Sequence, residues 1–218
     1  MALEVVERPA AGATERILVL LPGFCDEPSV WTDHLDVVDP HQRWHVAVPR
    51  PPVQTRGGPA WYRVSEAGPD QEALRSSIAA IVELITALTE QHSLTGDDVV
   101  LAGFSQGGAT TLATTLDPTV EVRPAAVAVM AGYLPARDHD LDTSLLAGRP
   151  VLFAHGTDDE MMDVVRGRSA ARALHRGGAS VTWTEVESPH RLGPPLLDPM
   201  RDWLQAVADG AVPSDPPV

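Results

Sequence analysis

The stretch "LAGFSQGGAT" (residues 101–110) places Ser105 between glycines, at the end of the apolar run "DVVLAG" (98–103). A continuous apolar run of this length predicts a buried strand, and residues 107–116 predict a helix. Gly-x-Ser-x-Gly between a strand and a helix is typical of a nucleophile elbow, a strained turn that projects the serine hydroxyl above a sheet. Because glycine-rich turns of this kind also bind phosphate groups, the pattern alone leaves the role of Ser105 open.

The remaining strands and helices alternate along the chain. The apolar segments that predict strands are "RILVLLP" (16–22), "RWHVAVP" (43–49), "PAAVAVMAG" (124–132), "PVLFAHG" (150–156) and "SVTWTEV" (180–186). The helical periodicities cover residues 70–92, 161–176 and 194–208. Between them, the Pro- and Gly-rich stretch "PRPPVQTRGGPAWYRV" (49–64) predicts an irregular loop.

This alternation predicts one α/β domain over residues 1–208, with a mostly parallel, doubly wound sheet flanked by helices. The chain is too short for a large lid domain inserted between its strands, so we expect an open site. The Pro-rich end "DGAVPSDPPV" (209–218) predicts a disordered tail.

The composition predicts a soluble globular protein with a strongly acidic surface. Of its 218 residues, 44% are hydrophobic and 21% are charged, and the formal net charge is −14. All 16 basic residues are arginines. Since a surface this negative repels phosphate backbones and anionic lipid heads, we expect no nucleic-acid partner.

The sequence predicts no segment that inserts into a membrane. No apolar run approaches the roughly 20 residues of a membrane helix, and "MALEVVERPAAGATER" (1–16) lacks the apolar core of a signal peptide. We therefore expect a cytoplasmic monomer or homodimer. The single cysteine, Cys25, excludes an internal disulfide, and no cysteine cluster predicts a zinc site. We expect neither a metal nor a cofactor.

A serine nucleophile needs a histidine base and an acid that orients the base. Hydrolases with a nucleophile elbow place them after the serine, in the order serine, acid, histidine. Asp158 and Asp159 lie in the turn after the strand 150–156, and His190 lies in "VESPHRLGP" (186–194) after the next strand. His155 precedes these acids and ends a strand, which favours a packing role. Spacing alone does not decide between Asp158 and Asp159.

Other motifs follow the same order as the elbow. "GFSQGG" covers residues 103–108, "AGYLP" covers 131–135, and "AWY" ends the long loop at 60–62. The acid turn is "HGTDD" (155–159), and the base lies in "SPH" (188–190). Together these motifs resemble the phospholipase/carboxylesterase family, the acyl-protein-thioesterase-like branch of the α/β hydrolases. The likeness runs from about residue 17 to 204 and implies an α/β-hydrolase fold.

The resemblance also implies roles for individual residues. It assigns the triad to Ser105, Asp159 and His190, and the oxyanion hole to the backbone N–H groups of Phe24 and Gln106. The family usually has His-Gly-x-Gly-Asp where this chain has "PGFCD" (22–26). Backbone donors survive such side-chain changes if the loop keeps its shape, so we expect the oxyanion hole to be retained.

These assignments predict a serine carboxylesterase or thioesterase that acts on small to medium acyl esters or thioesters. The partner is a small-molecule or acyl-carrier substrate. Trp31, Leu134, Met161 and Met162 are candidates for an apolar acyl pocket, although such residues also build cores. One alternative is a pathway hydrolase or cyclase that uses the same triad on a carrier-bound or lactone intermediate. Another is a catalytically idle fold that serves as a binding module.

Overall fold

A seven-stranded sheet forms the centre of the structure, a computed structural model that describes residues 2–135 and 140–216. The strands in chain order are β1 (Val5–Arg8), β2 (Ile17–Leu21), β3 (His45–Pro49), β4 (Val53–Gln54), β5 (Pro59–Ala60), β6 (Val64–Ser65), β7 (Gly68–Pro69), β8 (Val99–Phe104), β9 (Ala126–Met130), β10 (Pro150–Gly156) and β11 (Ser180–Val186). Across the sheet the order is β1-β3-β2-β8-β9-β10-β11. β1 runs antiparallel to β3, and the other neighbours are parallel.

Helices cover both faces of this sheet. They are α1 (Ser29–Thr32), α2 (Leu35–Val38), α3 (Gln71–His92), α4 (Gln106–Thr115), α5 (Val164–Arg176) and α6 (Pro194–Ala208). One face packs against α1, α2 and α6, and the other packs against α3, α4 and α5. The fold is therefore the doubly wound α/β fold that the alternation of strands and helices predicts.

The strand sequences explain why both faces are covered. Alternate residues of a strand point to opposite sides, and in β2 Leu18 and Leu20 join the cluster beneath α6 while Ile17 and Val19 join the cluster beneath α3. All five residues of β2 are buried, as are all six of β8. Such runs are stable only between two layers of helices.

The ends of α3 follow capping chemistry. The side chain of Asp70 accepts a hydrogen bond of 3.1 Å from the backbone N–H of Ala73, so it caps the start of the helix. After His92 the chain leaves the helix through Ser93, whose φ of 58° is left-handed. With both ends defined in this way, α3 connects the 50–70 segment to β8.

The predicted parallel strands and the four long helices are all present. Two short 3-10 helices, Gly96–Asp98 and Thr143–Leu146, are additional, and so are three other kinds of element. The first is the antiparallel edge strand β1, and the second is the pair of four-residue helices α1 and α2. The third lies in the segment predicted to be irregular, where β4 pairs with β5, with β6 and β7 paired just beyond it.

The C-terminal segment, for which the sequence predicts disorder, contacts the last strand of the sheet in its described part. The backbone N–H of Asp215 donates to the carbonyl of Val181, and the carbonyl of Asp215 accepts from Trp183, both at 2.8 Å. Residues 215 and 182 thereby form an isolated parallel bridge at the edge strand β11.

Candidate active site

Ser105 occupies the turn between β8 and α4 in a strained conformation. Its φ of 53° and ψ of −116° lie in a region that non-glycine residues rarely adopt. The turn is held at both ends, because the N–H of Ser105 donates to Met130 at 2.8 Å and its carbonyl accepts from Ala109 at 3.0 Å. The serine thus stands at the carboxyl edge of a central strand, at the start of a helix.

The glycines around Ser105 are required by close backbone approach. A Cβ on Gly103 would lie 2.3 Å from the carbonyl carbon of Gly107. A Cβ on Gly107 would lie 2.2 Å from the carbonyl oxygen of Leu21 and 2.4 Å from that of Pro22. Any side chain would therefore push the start of α4 away from β8 and from the loop after β2.

Two hydrogen bonds join Ser105, His190 and Asp159. His190 Nε2 lies 2.9 Å from Ser105 Oγ, and His190 Nδ1 lies 2.6 Å from Asp159 Oδ2. The imidazole also stacks against the ring of Phe104, with centroids 5.0 Å apart. Its side chain is only 11% exposed, so protein groups rather than bulk water fix its orientation.

The acid turn distinguishes the two aspartates that spacing left open. Asp159 is buried, and its Oδ1 accepts the backbone N–H groups of Met161 at 3.0 Å and Met162 at 2.7 Å. With Oδ1 occupied, Oδ2 faces His190. Asp158 is exposed beside it.

His155 contacts this turn from the end of β10, in agreement with its expected packing role. Its Nε2 lies 2.8 Å from the carbonyl of Met162 and 3.6 Å from Asp159 Oδ2. Burial lowers the pKa of His155 below its ordinary value of 6.5, more than these two neighbours raise it. The ring is therefore neutral at pH 7 and donates one N–H to the turn.

The loop after β2 approaches the nucleophile through Gly23. A Cβ built on Gly23 would lie 3.4 Å from the Cβ of Ser105 and 2.6 Å from Asp26 Oδ2. The next residue, Phe24, is the predicted oxyanion donor, and its side chain is 48% exposed. Cys25 follows with a φ of 67°, and its N–H donates to the carbonyl of Pro59 at 2.8 Å.

Asp26 closes this loop beside the histidine. Burial raises the pKa of the Asp26 carboxyl, against smaller opposing effects from a hydrogen bond with the backbone of Gly23 and from the charge of His190. The loop therefore carries a second acid close to the base. Its sequence, "PGFCD", keeps the aspartate of the family's usual motif while differing at Pro22 and Cys25.

Trp61 and the side chain of Gln106 connect the loop of residues 22–26, the oxyanion loop, to the nucleophile elbow. The backbone N–H of Trp61 donates to Gln106 Oε1 at 2.9 Å, and Gln106 Nε2 donates to the carbonyl of Tyr62 at 2.8 Å. The indole N–H of Trp61 donates to the carbonyl of Pro22 at 2.8 Å. The sequence predicts only a backbone role for Gln106 and no role for Trp61, which is marked only by the motif "AWY" (60–62).

The four candidate pocket residues do not lie together on one open surface. Trp31 is fully buried in the core, where its indole donates to the carbonyl of Leu21, so it lines no open pocket. Leu134 is half-buried and packs against the core cluster around α5. The side chain of Met161 is 78% exposed and that of Met162 is half-buried. Both methionines contact Asp159 through their backbone N–H groups.

Over residues 2–135 and 140–216, no three His, Cys, Asp or Glu side chains group as metal ligands would. Within the same ranges, no helix has the length and apolar character needed to cross a bilayer.

Comparison with known proteins places this chain in one family. The sequence profile of the phospholipase/carboxylesterase family matches residues 1–208. Acyl-protein thioesterase 1 of Yarrowia lipolytica is 26% identical over an alignment of 219 positions, which covers 92% of this chain and 95% of the relative. Acyl-protein thioesterase 1 homolog 1 of Dictyostelium discoideum is 26% identical, covering 84% of this chain and 86% of its own.

Solved structures share the fold at lower identity. The Bacillus cereus carboxylesterase superposes with a TM-score of 0.80 at 20% identity, covering 93% of each chain. Acyl-protein thioesterase 2 of Zea mays superposes with a TM-score of 0.76 at 22% identity, covering 93% of this chain and 98% of its own. With the sequence profile, these likenesses show that the chain belongs to the phospholipase/carboxylesterase family and has the α/β-hydrolase fold.

Proposed function

We propose that the protein is a serine hydrolase that cleaves carboxylic esters or thioesters with Ser105 as nucleophile, His190 as base and Asp159 as orienting acid. The observation that carries this proposal is the continuous hydrogen-bonded chain from Asp159 Oδ2 through His190 to Ser105 Oγ, with distances of 2.6 and 2.9 Å. A serine held this way on a strained elbow fits acyl transfer rather than phosphate binding.

In the proposed mechanism, His190 Nε2 takes the hydroxyl proton as Ser105 Oγ attacks the substrate carbonyl. Asp159 holds the proton on Nδ1 and stabilises the imidazolium that forms. The N–H groups of Phe24 and Gln106 donate to the oxyanion, and His190 returns its proton to the leaving alcohol or thiol. A water molecule activated by His190 then hydrolyses the acyl-enzyme and releases the acid.

The substrates we propose are small to medium acyl esters or thioesters, either as small molecules or on an acyl carrier. The relatives' names, acyl-protein thioesterase and carboxylesterase, support this range of leaving groups. The strongly acidic composition favours substrates in solution over anionic lipid interfaces. We further propose a cytoplasmic monomer or homodimer.

Hydrolysis of p-nitrophenyl acetate by the purified chain tests the proposal. Wild type should turn over this activated ester, and Ser105→Ala should reduce the rate to background. An unchanged rate in Ser105→Ala would refute the assignment of the nucleophile. A panel of p-nitrophenyl esters and matched thioesters of increasing acyl length then measures the preferred chain.

A further inference from the structure

A cavity of about 480 Å³ opens beside the oxyanion loop. Its lining residues are Phe24, Gln54, Thr55, Arg56, Arg63 and Val64. Phe24 follows Gly23, and Gly23 lies against Ser105, since a Cβ on that glycine would be 3.4 Å from the serine Cβ. One lining residue of the cavity, Phe24, is therefore the chain neighbour of a residue that lies against the nucleophile.

The charge of this cavity is opposite to that of the chain as a whole. Its lining includes two arginines and no acid, in a chain with a net charge of −14. Arg56 is exposed, and one nitrogen of Arg63 donates to the carbonyl of Gln54 at 3.1 Å. Neither guanidinium forms an ion pair within the described part of the chain. Both retain N–H donors for an anion from outside.

Arginines elsewhere in the fold are commonly neutralised by carboxylates of this chain. Arg50 binds both carboxylate oxygens of Glu27, and Arg8 contacts Asp39 at 2.6 Å. The two arginines beside Phe24 have no carboxylate partner of this kind among the described residues. Arg63 also borders a neighbouring cavity that contains Asp70 and Glu72. Of these two cavities, Arg56 lines only the one beside Phe24.

The same cavity presents exposed apolar surface. The side chain of Phe24 is 48% exposed and that of Val64 is 61% exposed. Large apolar side chains this open, next to unpaired guanidinium groups, match a ligand with a short apolar segment ending in an anion. A purely apolar acyl chain would make no use of the two guanidinium groups.

We propose that this cavity is a substrate subsite for an anionic group, a carboxylate or a phosphate, joined by a short apolar linker to the scissile ester or thioester. Arg56 and Arg63 bind the anion, and Phe24 and Val64 contact the linker. The subsite rests on the proposed hydrolase function and specifies its substrate class. The anion belongs either to the acyl group or to the leaving group.

Two pairs of ester probes distinguish these sources. For the acyl side, mono-p-nitrophenyl adipate, which carries a free carboxylate, is compared with methyl p-nitrophenyl adipate, in which that carboxylate is a methyl ester. For the leaving-group side, p-acetoxybenzoate is compared with its methyl ester. Within each pair the charge changes while the scissile ester is retained. We expect wild type to have a higher kcat/KM for the anionic member of one pair.

The variants are Arg56→Gln, Arg63→Gln and the double variant, with Arg176→Gln at the exposed end of α5 as a control of equal charge change. An exposed ion pair contributes up to about 1 kcal/mol, or about fivefold, so each arginine should account for about fivefold of the preference. The preference should also fall as salt rises from about 10 mM to about 0.5 M, because salt screens exposed charges. Arg176→Gln should keep the wild-type ratio.

Binding without catalysis separates failure of the subsite from failure of the enzyme. In Ser105→Ala, calorimetry should detect monomethyl adipate, with an affinity that falls about fivefold when Arg56→Gln is added. Arginine-dependent binding without hydrolysis by wild type would overturn the proposed function and leave the subsite standing. Equal probe ratios in wild type and the double variant, with binding insensitive to both arginines, would overturn the subsite.

Discussion

The indole nitrogen of Trp61 lies 2.8 Å from the carbonyl oxygen of Pro22, and the backbone nitrogen of Trp61 lies 2.9 Å from Oε1 of Gln106. One residue therefore contacts both segments that carry the proposed oxyanion donors. The carbonyl of Trp61 in turn accepts the hydroxyl of Ser77 on α3 at 2.6 Å. The distance between the donors of Phe24 and Gln106 thus depends on a residue outside the elbow.

Trp61→Phe should lower kcat by roughly tenfold with a smaller effect on KM. The substitution removes the donor to Pro22 and leaves that buried carbonyl unpaired, which costs about 1–3 kcal/mol and lets the oxyanion loop shift. Steady-state kinetics on p-nitrophenyl acetate measures the effect.

Trp203→Phe is the matched control, because the buried Nε1 of Trp203 has no hydrogen-bond partner among the described residues. That variant loses the same ring atoms without losing a described hydrogen bond. Equal kinetic losses in both variants would contradict the positioning role of Trp61.

Gly107→Ala should destabilise the fold by at least about 2 kcal/mol and abolish activity. The added Cβ would lie 2.2 Å from the carbonyl oxygen of Leu21, so α4 or the loop after β2 has to move. Urea unfolding measures the change. Gly12→Ala, where a Cβ meets nothing within 4 Å, should match wild type. A Gly107→Ala protein with wild-type stability and rate would refute the close approach.

Asp159→Asn should lower kcat by roughly 10²- to 10⁴-fold while the fold is retained. The amide oxygen would accept the N–H groups of Met161 and Met162, as Oδ1 of Asp159 does. The amide NH₂ would then face His190 and force the tautomer whose Nε2–H points at Ser105. Asp158→Asn, at the exposed neighbouring position, should keep the wild-type kcat. The opposite pattern would transfer the acid role to Asp158.

His155 should make stability fall at mildly acidic pH. Because burial lowers the pKa of His155 in the folded state, the unfolded chain binds a proton below about pH 6.5 that the folded chain does not. The free energy of unfolding should therefore decrease as pH falls through 6.5 toward the folded-state pKa, by at most about 1.4 kcal/mol per pH unit.

The test is urea unfolding between about pH 7.5 and 5 for wild type, His155→Gln and His175→Gln. The glutamine at 155 can still donate to Met162 but does not titrate, so it should flatten the dependence. His175→Gln, at an exposed position, should not. Identical slopes in wild type and His155→Gln would rule out the buried neutral histidine.

The parallel strands and long helices could be predicted because each carries its own pattern of apolar residues. β2 and β8 are buried along their whole length, and this burial is visible as an apolar run. β1 could not be predicted in this way, since its four residues "VVER" are partly exposed and depend on pairing with β3. The four-residue helices α1 and α2 are likewise too short to show a period.

The candidate site was predictable where chain order carries information. The elbow, the acid turn and His190 follow one another as the sequence indicates, and the resemblance selected Asp159 over Asp158. The hydrogen bonds of Trp61 join residues 39 and 45 positions apart, and they depend on the path of the 50–70 loop. Trp31, a candidate for the acyl pocket, is fully buried in the core, where its indole donates to the carbonyl of Leu21.

Labelling with a fluorophosphonate is the most direct test of Ser105 as an activated nucleophile, because this probe reacts preferentially with a serine that a neighbouring base activates. We predict that wild type is labelled stoichiometrically, that mass spectrometry of the digest locates the adduct on Ser105, and that Ser105→Ala and His190→Ala remain unlabelled. An unlabelled wild-type protein, or an adduct on another residue that persists in Ser105→Ala, would contradict it.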